Sequence, residues 1–343
     1  SRPPKIVVLG AGSAIFGLGA LSTMMQSPRL RGASIALCDI DEAGLATVTA
    51  LARRMNEAWD SNVTLTSSTE RRDLLPGADF VIVSVQVGPR ETVWEMDWQI
   101  PLRHGVHQPY AENGGPGAFA HAARGIPLLL DIARDMEELC PQSICLNLVN
   151  PLIRTTLAIH RYTSIKVVGL CHQLLWGYAL VGALLSDRFG IAVPEGFHLH
   201  TNASNMPNFI PVARAALEHL EIKAAGINHF SWMLDIRDKQ TGEDLYPAVR
   251  EAWATYRRDF EPLSREIFDL FGLVPTPGDA HLCEFLPVVA NPITKPWEKY
   301  HLTLQSWDGN RKRRADRKAL AAAIVAGDVP VDSLRDVWQH NIL

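Results

Sequence analysis

Short apolar runs alternate with amphipathic stretches along the first half of the chain. The apolar runs predict β-strands over residues 5–9, 34–38, 62–66, 80–86, 143–148 and 166–170. The stretches between them predict helices over residues 14–27, 42–58, 152–160 and 173–188. Strands that are apolar on both faces are typical of a parallel sheet covered by helices on either side, and the connections in such sheets are right-handed crossovers. We therefore predict an α/β fold with a doubly wound, parallel, Rossmann-like sheet.

Irregular patterning replaces this alternation in the second half of the chain. The clearest elements there are a strand segment and two helices, over residues 224–238, 245–257 and 260–271. We expect two consecutive domains, the first (1–170) containing the parallel sheet and the second (171–343) having a mixed α+β structure.

Composition and charge narrow the classes of partner. Hydrophobic residues make up 47% of the chain and charged residues 20%, which is typical of a compact globular protein. The net charge of −4 includes one short basic run, at 311–314, which we interpret as the exposed start of a helix. Nucleic-acid binding therefore has no electrostatic support, and no apolar stretch is long enough to cross a bilayer. We expect a small-molecule partner, with neither nucleic acid nor membrane.

The cysteines indicate a reducing compartment. There are five, an odd number without the paired spacing of a metal or redox motif, at residues 38, 140, 145, 171 and 283. We therefore expect reduced thiols in a cytoplasmic protein. Closed symmetric assemblies are common among such proteins, so a homo-oligomer (dimer or tetramer) is expected.

A glycine-containing turn follows the first predicted strand and precedes a helix, which is where a dinucleotide-binding fingerprint lies. Gly10 and Gly12 would let backbone N–H groups approach a pyrophosphate, although Ile15 occupies the third fingerprint position. Asp39, at the end of the second strand, can accept hydrogen bonds from ribose hydroxyls and would repel a 2′-phosphate, which favours NAD over NADP. The alternative is an ordinary turn with a surface carboxylate. The candidate cofactor-binding residues are Gly10, Gly12, Ser13, Ala14, Ile15, Phe16, Asp39 and Val85.

A second candidate site combines a thiol with imidazoles. Cys171 and His172 follow directly after a predicted strand, where side chains of open α/β sheets face the ligand crevice. Asn228 and His229 lie further along the chain. A thiolate, an imidazole and substrate oxygens would form one divalent-metal site. Taken singly, a buried structural cysteine and a histidine of the core are equally ordinary interpretations, and the spacing matches no local metal motif.

Several of these segments together resemble glycoside hydrolase family 4, the NAD- and divalent-metal-dependent glycosidases, over residues 5 to about 290. The segments are the opening turn, Glu112-Asn113-Gly114-Gly115 with Arg124, Asn147-Leu148-Val149-Asn150-Pro151, Gly169-Leu170-Cys171-His172, Gly226-Ile227-Asn228-His229 with Trp232, and Gly278-Asp279-Ala280-His281 with Glu284 and Pro287.

The resemblance implies a redox-neutral mechanism. NAD takes a hydride from C3 of the sugar, and the resulting ketone acidifies the C2 proton, which a base removes. The aglycone then leaves C1 by elimination while the metal, on O2 and O3, stabilises the enediolate. Water adds to the enone and the hydride returns. Such an enzyme does not need the carboxylate pair of ordinary glycosidases.

The resemblance also implies roles for individual residues. It makes Cys171 and His229 the metal ligands, with Mn²⁺ the first choice of metal. It implies substrate contacts from Arg90, Glu112, Asn113, Asn147, Asn150 and His172. His172 is a second candidate for catalysis, through the leaving group. Asp279 falls where the C2 base is expected and Tyr256 is the alternative. An N-cap of its own helix is an equally good interpretation of Asp279.

The substrate class is less defined. By the resemblance, His172 lies where members that act on unphosphorylated sugars carry histidine, which implies hexosides, uronides or sulfoquinovosides. The last belong to a similar group, the NAD-dependent sulfoquinovosidases, whose sulfonate would need arginine or N–H donors. Gln173 differs from the residues of the best-known subgroups of the family.

Two other functions remain possible from the sequence. An NAD-dependent 2-hydroxyacid dehydrogenase of the lactate/malate type would share the opening fold and the Asn150-Pro151 pair, but it would accumulate NADH and has no use for Cys171. A non-enzymatic NAD-binding protein would tolerate loss of Cys171 and His229.

Overall fold

A computed structural model of the chain describes residues 2–13, 17–199 and 206–337. The chain divides into two compact units, each assembled from separate segments. One unit comprises Ser1–Glu95, His121–Leu170 and Ser306–Leu343, and the other comprises Met96–Ala120 and Cys171–Gln305. The predicted break after residue 170 is one of these boundaries. Two segments differ from the expected consecutive domains. Residues 96–120 belong to the second unit rather than the first, and residues 306–343 belong to the first rather than the second.

The first unit contains a six-stranded parallel sheet in the order β3-β2-β1-β4-β5-β6. Its strands are β1 (Lys5–Leu9), β2 (Ser34–Cys38), β3 (Thr64–Ser68), β4 (Phe80–Val83), β5 (Ile144–Asn147) and β6 (Lys166–Gly169). The order reverses between β1 and β4, as it does in doubly wound folds. All six predicted strands and the α/β fold class are confirmed.

Alternating side chains explain why the inner strand β1 is apolar throughout. Ile6 and Val8 of β1 enter one buried cluster, whereas Val7 and Leu9 enter another. Successive side chains of a strand point to opposite faces, so β1 contributes to two cores. A strand with only one buried face would instead alternate apolar and polar residues.

The helices occupy most of the remaining described chain. They are α1 (Ser22–Gln26), α2 (Glu42–Ala58), α3 (Arg71–Leu74), α4 (Arg90–Arg103), α5 (Gly115–Leu139), α6 (Leu152–Tyr162), α7 (Gln173–Leu184), α8 (Ser186–Phe189), α9 (Met206–His219), α10 (Tyr246–Thr255), α11 (Pro262–Phe271), α12 (Asp279–Leu282), α13 (Pro296–Lys299), α14 (Trp307–Ala326) and α15 (Leu334–Val337). The helix predicted over 42–58 has those bounds. The predicted helix 14–27 is instead a π-helical turn (Gly17–Leu21) followed by α1. Within the described ranges, no helix combines the length and apolarity that a bilayer crossing requires.

The second unit has a different plan. Strands β7 (Leu220–Ile227) and β8 (Phe230–Asp238) form an antiparallel hairpin, so the single strand predicted over 224–238 is wrong. Two residues, Asn228 and His229, make the turn. The hairpin packs with α7, α9, α10 and α11 around one hydrophobic cluster, and α7 is buried along nearly its whole length.

Candidate functional site

The turn after β1 has the geometry that its glycines allow. Gly10 has a φ of +88°, and a Cβ there would lie 2.3 Å from the carbonyl oxygen of Ser84. The N–H groups of Gly10 and Ala11 both donate to the carbonyl of Cys38, at 2.9 and 3.0 Å. A side chain at Gly10 would therefore be excluded by both conformation and contact.

Asp39 is part of the same turn. Its carboxylate accepts from the N–H of Gly12 at 2.7 Å and from that of Asp41 at 2.9 Å. A Cβ on Gly12 would lie 2.8 Å from Cγ of Asp39, so the close approach requires glycine. Asp39, the acid expected to bind a ribose, is thus held beside Gly10 and Gly12, the turn expected to bind a pyrophosphate. These residues fit a dinucleotide. Ser13 is partly buried; the predicted contacts Ala14, Ile15 and Phe16 lie outside the described residues.

Val85, the last predicted cofactor contact, follows β4 and lines a small cavity with His121 and Arg124. Burial, together with the charges of Arg124 and Arg90, lowers the pKa of His121 to about 4. Arg90 begins α4, and its guanidinium lies over the ring of Trp94 at 4.7 Å.

The asparagines of the predicted substrate motif differ in environment. Asn147 is fully buried, donates to the hydroxyls of Thr155 and Thr156 and accepts from the N–H of Val149. Its amide is therefore used inside the fold, and the expected substrate contact from Asn147 does not match this environment. Asn150 precedes Pro151 through a cis peptide bond and is partly exposed.

In the second unit the structure brings Cys171 and His229 together. The sulfur of Cys171 lies 3.2 Å from Nε2 of His229, although 58 positions separate them in the chain. Cys171 is exposed to solvent and His229 is 5% exposed. The sequence suggested one metal site from this thiol and an imidazole, and the family resemblance implied that Cys171 and His229 are its ligands, although no local spacing requires their proximity.

His229 has an unusual backbone conformation. It is the second residue of the turn between β7 and β8 and has a φ of +64°, a region that favours glycine or asparagine. Such strain concentrates at functional sites, where surrounding contacts hold it. Burial, with a smaller effect from His172, lowers the pKa of His229 to about 3. The imidazole is therefore neutral, which is the state that binds a metal.

The donor set fits a metal ion that keeps open positions. Among the residues that the structure describes, no third His, Cys, Asp or Glu joins Cys171 and His229 in a ready-made ligand cluster. Two protein ligands leave coordination positions for substrate oxygens, as a metal acting on substrate requires. Packing around the sulfur, and then the charge of Glu112, raise the pKa of the Cys171 thiol; a bound divalent cation would favour the thiolate.

Aromatic rings surround the pair. His172 is exposed, and its ring lies 5.4 Å from that of Trp176. The ring of His281 lies 4.1 Å from that of His229 and 5.2 Å from that of Trp176. His281 lies in one of the segments that carry the family resemblance, but the resemblance implied no role for it. Its position in that segment was the signal that could have identified it as a site residue.

A buried carboxylate organises the loop that carries Glu112 and Asn113. Glu284, 3% exposed, accepts from the N–H groups of Glu112 (3.2 Å), Asn113 (2.8 Å) and Gly114 (3.0 Å). A Cβ on Gly114 would lie 2.4 Å from the carbonyl oxygen of Glu284. Burial raises the pKa of Glu284 to about 8, and the N–H donors act against this rise. The predicted substrate residues Glu112 and Asn113 are therefore positioned by a residue to which sequence reasoning gave no role.

Asp279 has a structural environment that neither interpretation predicted. It is fully buried, and its carboxylate accepts from the N–H groups of Leu263 (2.8 Å) and Ser264 (2.7 Å) and from the Ser264 hydroxyl (2.6 Å). It thus caps α11, a neighbouring helix, whereas Gly278 is the N-cap of its own helix. These contacts do not match the exposed carboxylate that a C2 base needs.

Tyr256, the alternative base, ends α10. It is partly buried, and its ring lies 5.0 Å from that of Phe260. Burial raises the pKa of its phenol, which disfavours the phenolate that a base requires.

Comparisons with solved structures show the same fold. The crystal structure of lplD from Bacillus subtilis superposes with a TM-score of 0.80 at 23% identity, covering 99% of this chain and 75% of that one. A 6-phospho-β-glucosidase from Thermotoga maritima, solved with manganese, NAD⁺ and glucose-6-phosphate, gives a TM-score of 0.69 at 20% identity, covering 94% and 68%.

Sequence comparisons identify the family. The family 4 glycosyl hydrolase model matches residues 5–180, and the model of its C-terminal domain matches residues 224–327, beyond the limit near 290 expected from the motifs. An α-glucosidase of Erwinia rhapontici is 36% identical over 72% of this chain, and the matched region spans about half (48%) of that relative's length. The chain belongs to family 4 of the glycosyl hydrolases.

Proposed function

We propose that the chain works as an NAD-dependent, metal-assisted glycosidase on an unphosphorylated sugar. The single observation that carries the proposal is the 3.2 Å approach of the Cys171 sulfur to Nε2 of His229. A thiol and a neutral, buried imidazole from distant parts of the chain have little structural reason to meet in a strained turn, whereas a metal ion needs both.

The two sets of residues suit the two cofactors. Gly10, Gly12 and Asp39 would hold the pyrophosphate and ribose of NAD, and Cys171 and His229 would hold a divalent ion such as Mn²⁺. The Thermotoga maritima relative was solved with manganese and NAD⁺, which supports the pairing. When bound, NAD would accept and return a hydride at C3, and the ion would stabilise negative charge on the sugar oxygens.

We assign proton transfer to His172. Of the three residues expected to handle protons, Asp279 is fully buried and used in capping, and Tyr256 is partly buried. His172 is exposed and follows Cys171 directly. Packing around its ring lowers its pKa, so the imidazole is held in the neutral form that can accept a proton.

The substrate class follows from His172 and from the relatives. The Erwinia rhapontici protein is named an α-glucosidase, which supports a hexoside without a phosphate. Uronides and sulfoquinovosides carry an acidic group that Arg90 or Arg124 would bind, and they stand as the second choice. The exposed thiol of Cys171 would need a reducing environment to remain a ligand, which supports a cytoplasmic location.

One incubation tests the proposal. The protein, NAD, Mn²⁺, a reductant and a panel of nitrophenyl glycosides are combined in heavy water, and released phenol, NADH absorbance and deuterium at C2 are followed. We expect phenol release with C2 deuteration and no accumulation of NADH. Phenol release that persists after NAD is removed would refute the oxidative mechanism, and NADH accumulating with turnover would identify a dehydrogenase instead.

A further inference from the structure

Gln173 lies between the two segments that carry Cys171 and His229. It begins α7, two positions after Cys171, and is 7% exposed. Its Oε1 accepts from the backbone N–H of His229 at 2.6 Å and from Nδ2 of Asn228 at 2.9 Å. The helix that follows one ligand is therefore hydrogen-bonded to the turn that carries the other.

The opposite end of the same amide is also bound. Nε2 of Gln173 donates to the hydroxyls of Ser231 on β8 and Thr276. The N–H of Thr276 donates to the carbonyl of Ser231 at 3.0 Å. Since a backbone N–H can only donate, Oε1 must face His229 and Nε2 must face the hydroxyls. The amide thus has one orientation and uses both ends.

This network bears directly on the strained residue. A positive φ at a non-glycine residue is disfavoured and persists only where neighbouring contacts hold it. The bond from the His229 N–H to Gln173 is such a contact, and it acts on the backbone that aims the imidazole at Cys171. An apolar side chain at 173 would leave this buried N–H without that acceptor.

We propose that Gln173 is a positioning residue that holds His229 against Cys171 and so preorganises the metal site. The inference rests on the proposed function, since it presumes that the two residues bind a metal. A long, neutral amide can join an N–H donor to two hydroxyls.

Cobalt binding to the whole chain tests the inference without any measurement of turnover. Co²⁺ is titrated into the protein, and the thiolate-to-cobalt charge-transfer absorption is followed. Outer-shell substitutions weaken metal binding by about 10–100-fold, and we expect Gln173→Met, which keeps the volume and removes all four hydrogen bonds, to raise the Kd within this range. Gln173→Glu keeps an acceptor for His229 and can accept from both hydroxyls, so it should recover most of the affinity.

Matched controls separate the outcomes. Gln240→Met, an exposed position in the turn after β8, should bind cobalt as the parent chain does, and Cys171→Ser should lose the absorption. A Kd of Gln173→Met within about twofold of the parent value would overturn the inference while leaving the proposed function in place. Absence of the charge-transfer absorption in the parent chain would overturn the proposed metal site and the inference with it.

A second variant keeps the test valid if Gln173→Met does not fold, which far-ultraviolet circular dichroism will show. Ser231→Ala combined with Thr276→Val leaves Gln173 in place and removes the partners of its Nε2. We expect a smaller weakening of cobalt binding, by about 3–10-fold, because the amide keeps its bond to His229 but loses its anchor. Unchanged affinity in this double variant would contradict the proposal.

Discussion

Replacing Asp279 with alanine should destabilise its unit before it affects any chemistry. The carboxyl group is fully buried and accepts hydrogen bonds from the N–H groups of Leu263 and Ser264 and from the hydroxyl of Ser264. These donors lie at the N-terminus of α11, where the helix dipole also favours a negative charge. Removal of the carboxylate leaves buried N–H groups without an acceptor.

The expected loss can be worked out from these contacts. Hydrogen bonds to a charged group contribute about 1.5–3 kcal/mol each, but bonds that share one acceptor are not additive. The helix terminus adds about 1 kcal/mol or less at most sites. We therefore expect Asp279→Ala to lower the free energy of unfolding by about 4 kcal/mol, which for a domain of 150–250 residues lowers Tm by about 8–16 °C.

Thermal unfolding of three variants provides the assay. Asp279→Asn keeps one acceptor and should lose about half as much stability as the alanine variant, since one of its amide positions can no longer accept. Asp269→Ala removes an exposed acid from the same helix and should stay within about 0.5 kcal/mol of the parent chain. If Asp279→Ala unfolds like the parent chain yet abolishes phenol release, the structural argument is wrong and Asp279 is the C2 base.

Three further changes test other parts of the structure. Burial raises the pKa of Glu261 to about 7; the folded state therefore keeps a proton that the unfolded state loses above about 4.5. The contribution of Glu261 to stability should fall by about 3 kcal/mol as pH rises from 4.5 past 7, in addition to the loss from Glu284, whose pKa is also raised. The free energy of unfolding of Glu261→Gln, measured in urea at several pH values across that window, should fall less steeply with pH than that of the parent chain. An equally steep fall would contradict the raised pKa of Glu261. Glu284→Ala should cost about 3 kcal/mol, because three backbone N–H groups lose their acceptor; an unchanged urea midpoint would refute this. Gly114→Ala should destabilise the chain through its 2.4 Å contact, whereas Gly125→Ala, on a helix with open space around it, should stabilise by about 0.5–1 kcal/mol; the reverse order of their Tm values would refute the steric argument.

Local patterns determined the first unit well. Strands β1, β2 and β4 are short runs that are apolar on both faces. Gly10 is needed at a turn whose conformation excludes other residues. Both signals depend on residues close together in the chain. The same is true of α2, whose predicted bounds match the structure because its periodicity and its N-cap, Asp41, are local.

The hairpin of β7 and β8 is a feature that local sequence patterns did not predict. Residues 224–238 are apolar enough for a strand, and Asn228 alone is a common turn residue. Nothing local, however, assigns a positive φ to His229, because its side chain disfavours that conformation. Contacts made after folding, including the bond to Gln173, hold it there.

The sequence by itself therefore determined the parallel sheet, the glycine turn after β1 and the residue types of the proposed metal site. Only the tertiary structure decided that Cys171 meets His229, that Asp279 caps a neighbouring helix and that Glu284 holds the loop at Glu112. The physical reason is the separation along the chain. Backbone conformation and burial patterns depend on a few neighbouring residues, whereas these contacts join distant positions that become adjacent only when the cores have packed.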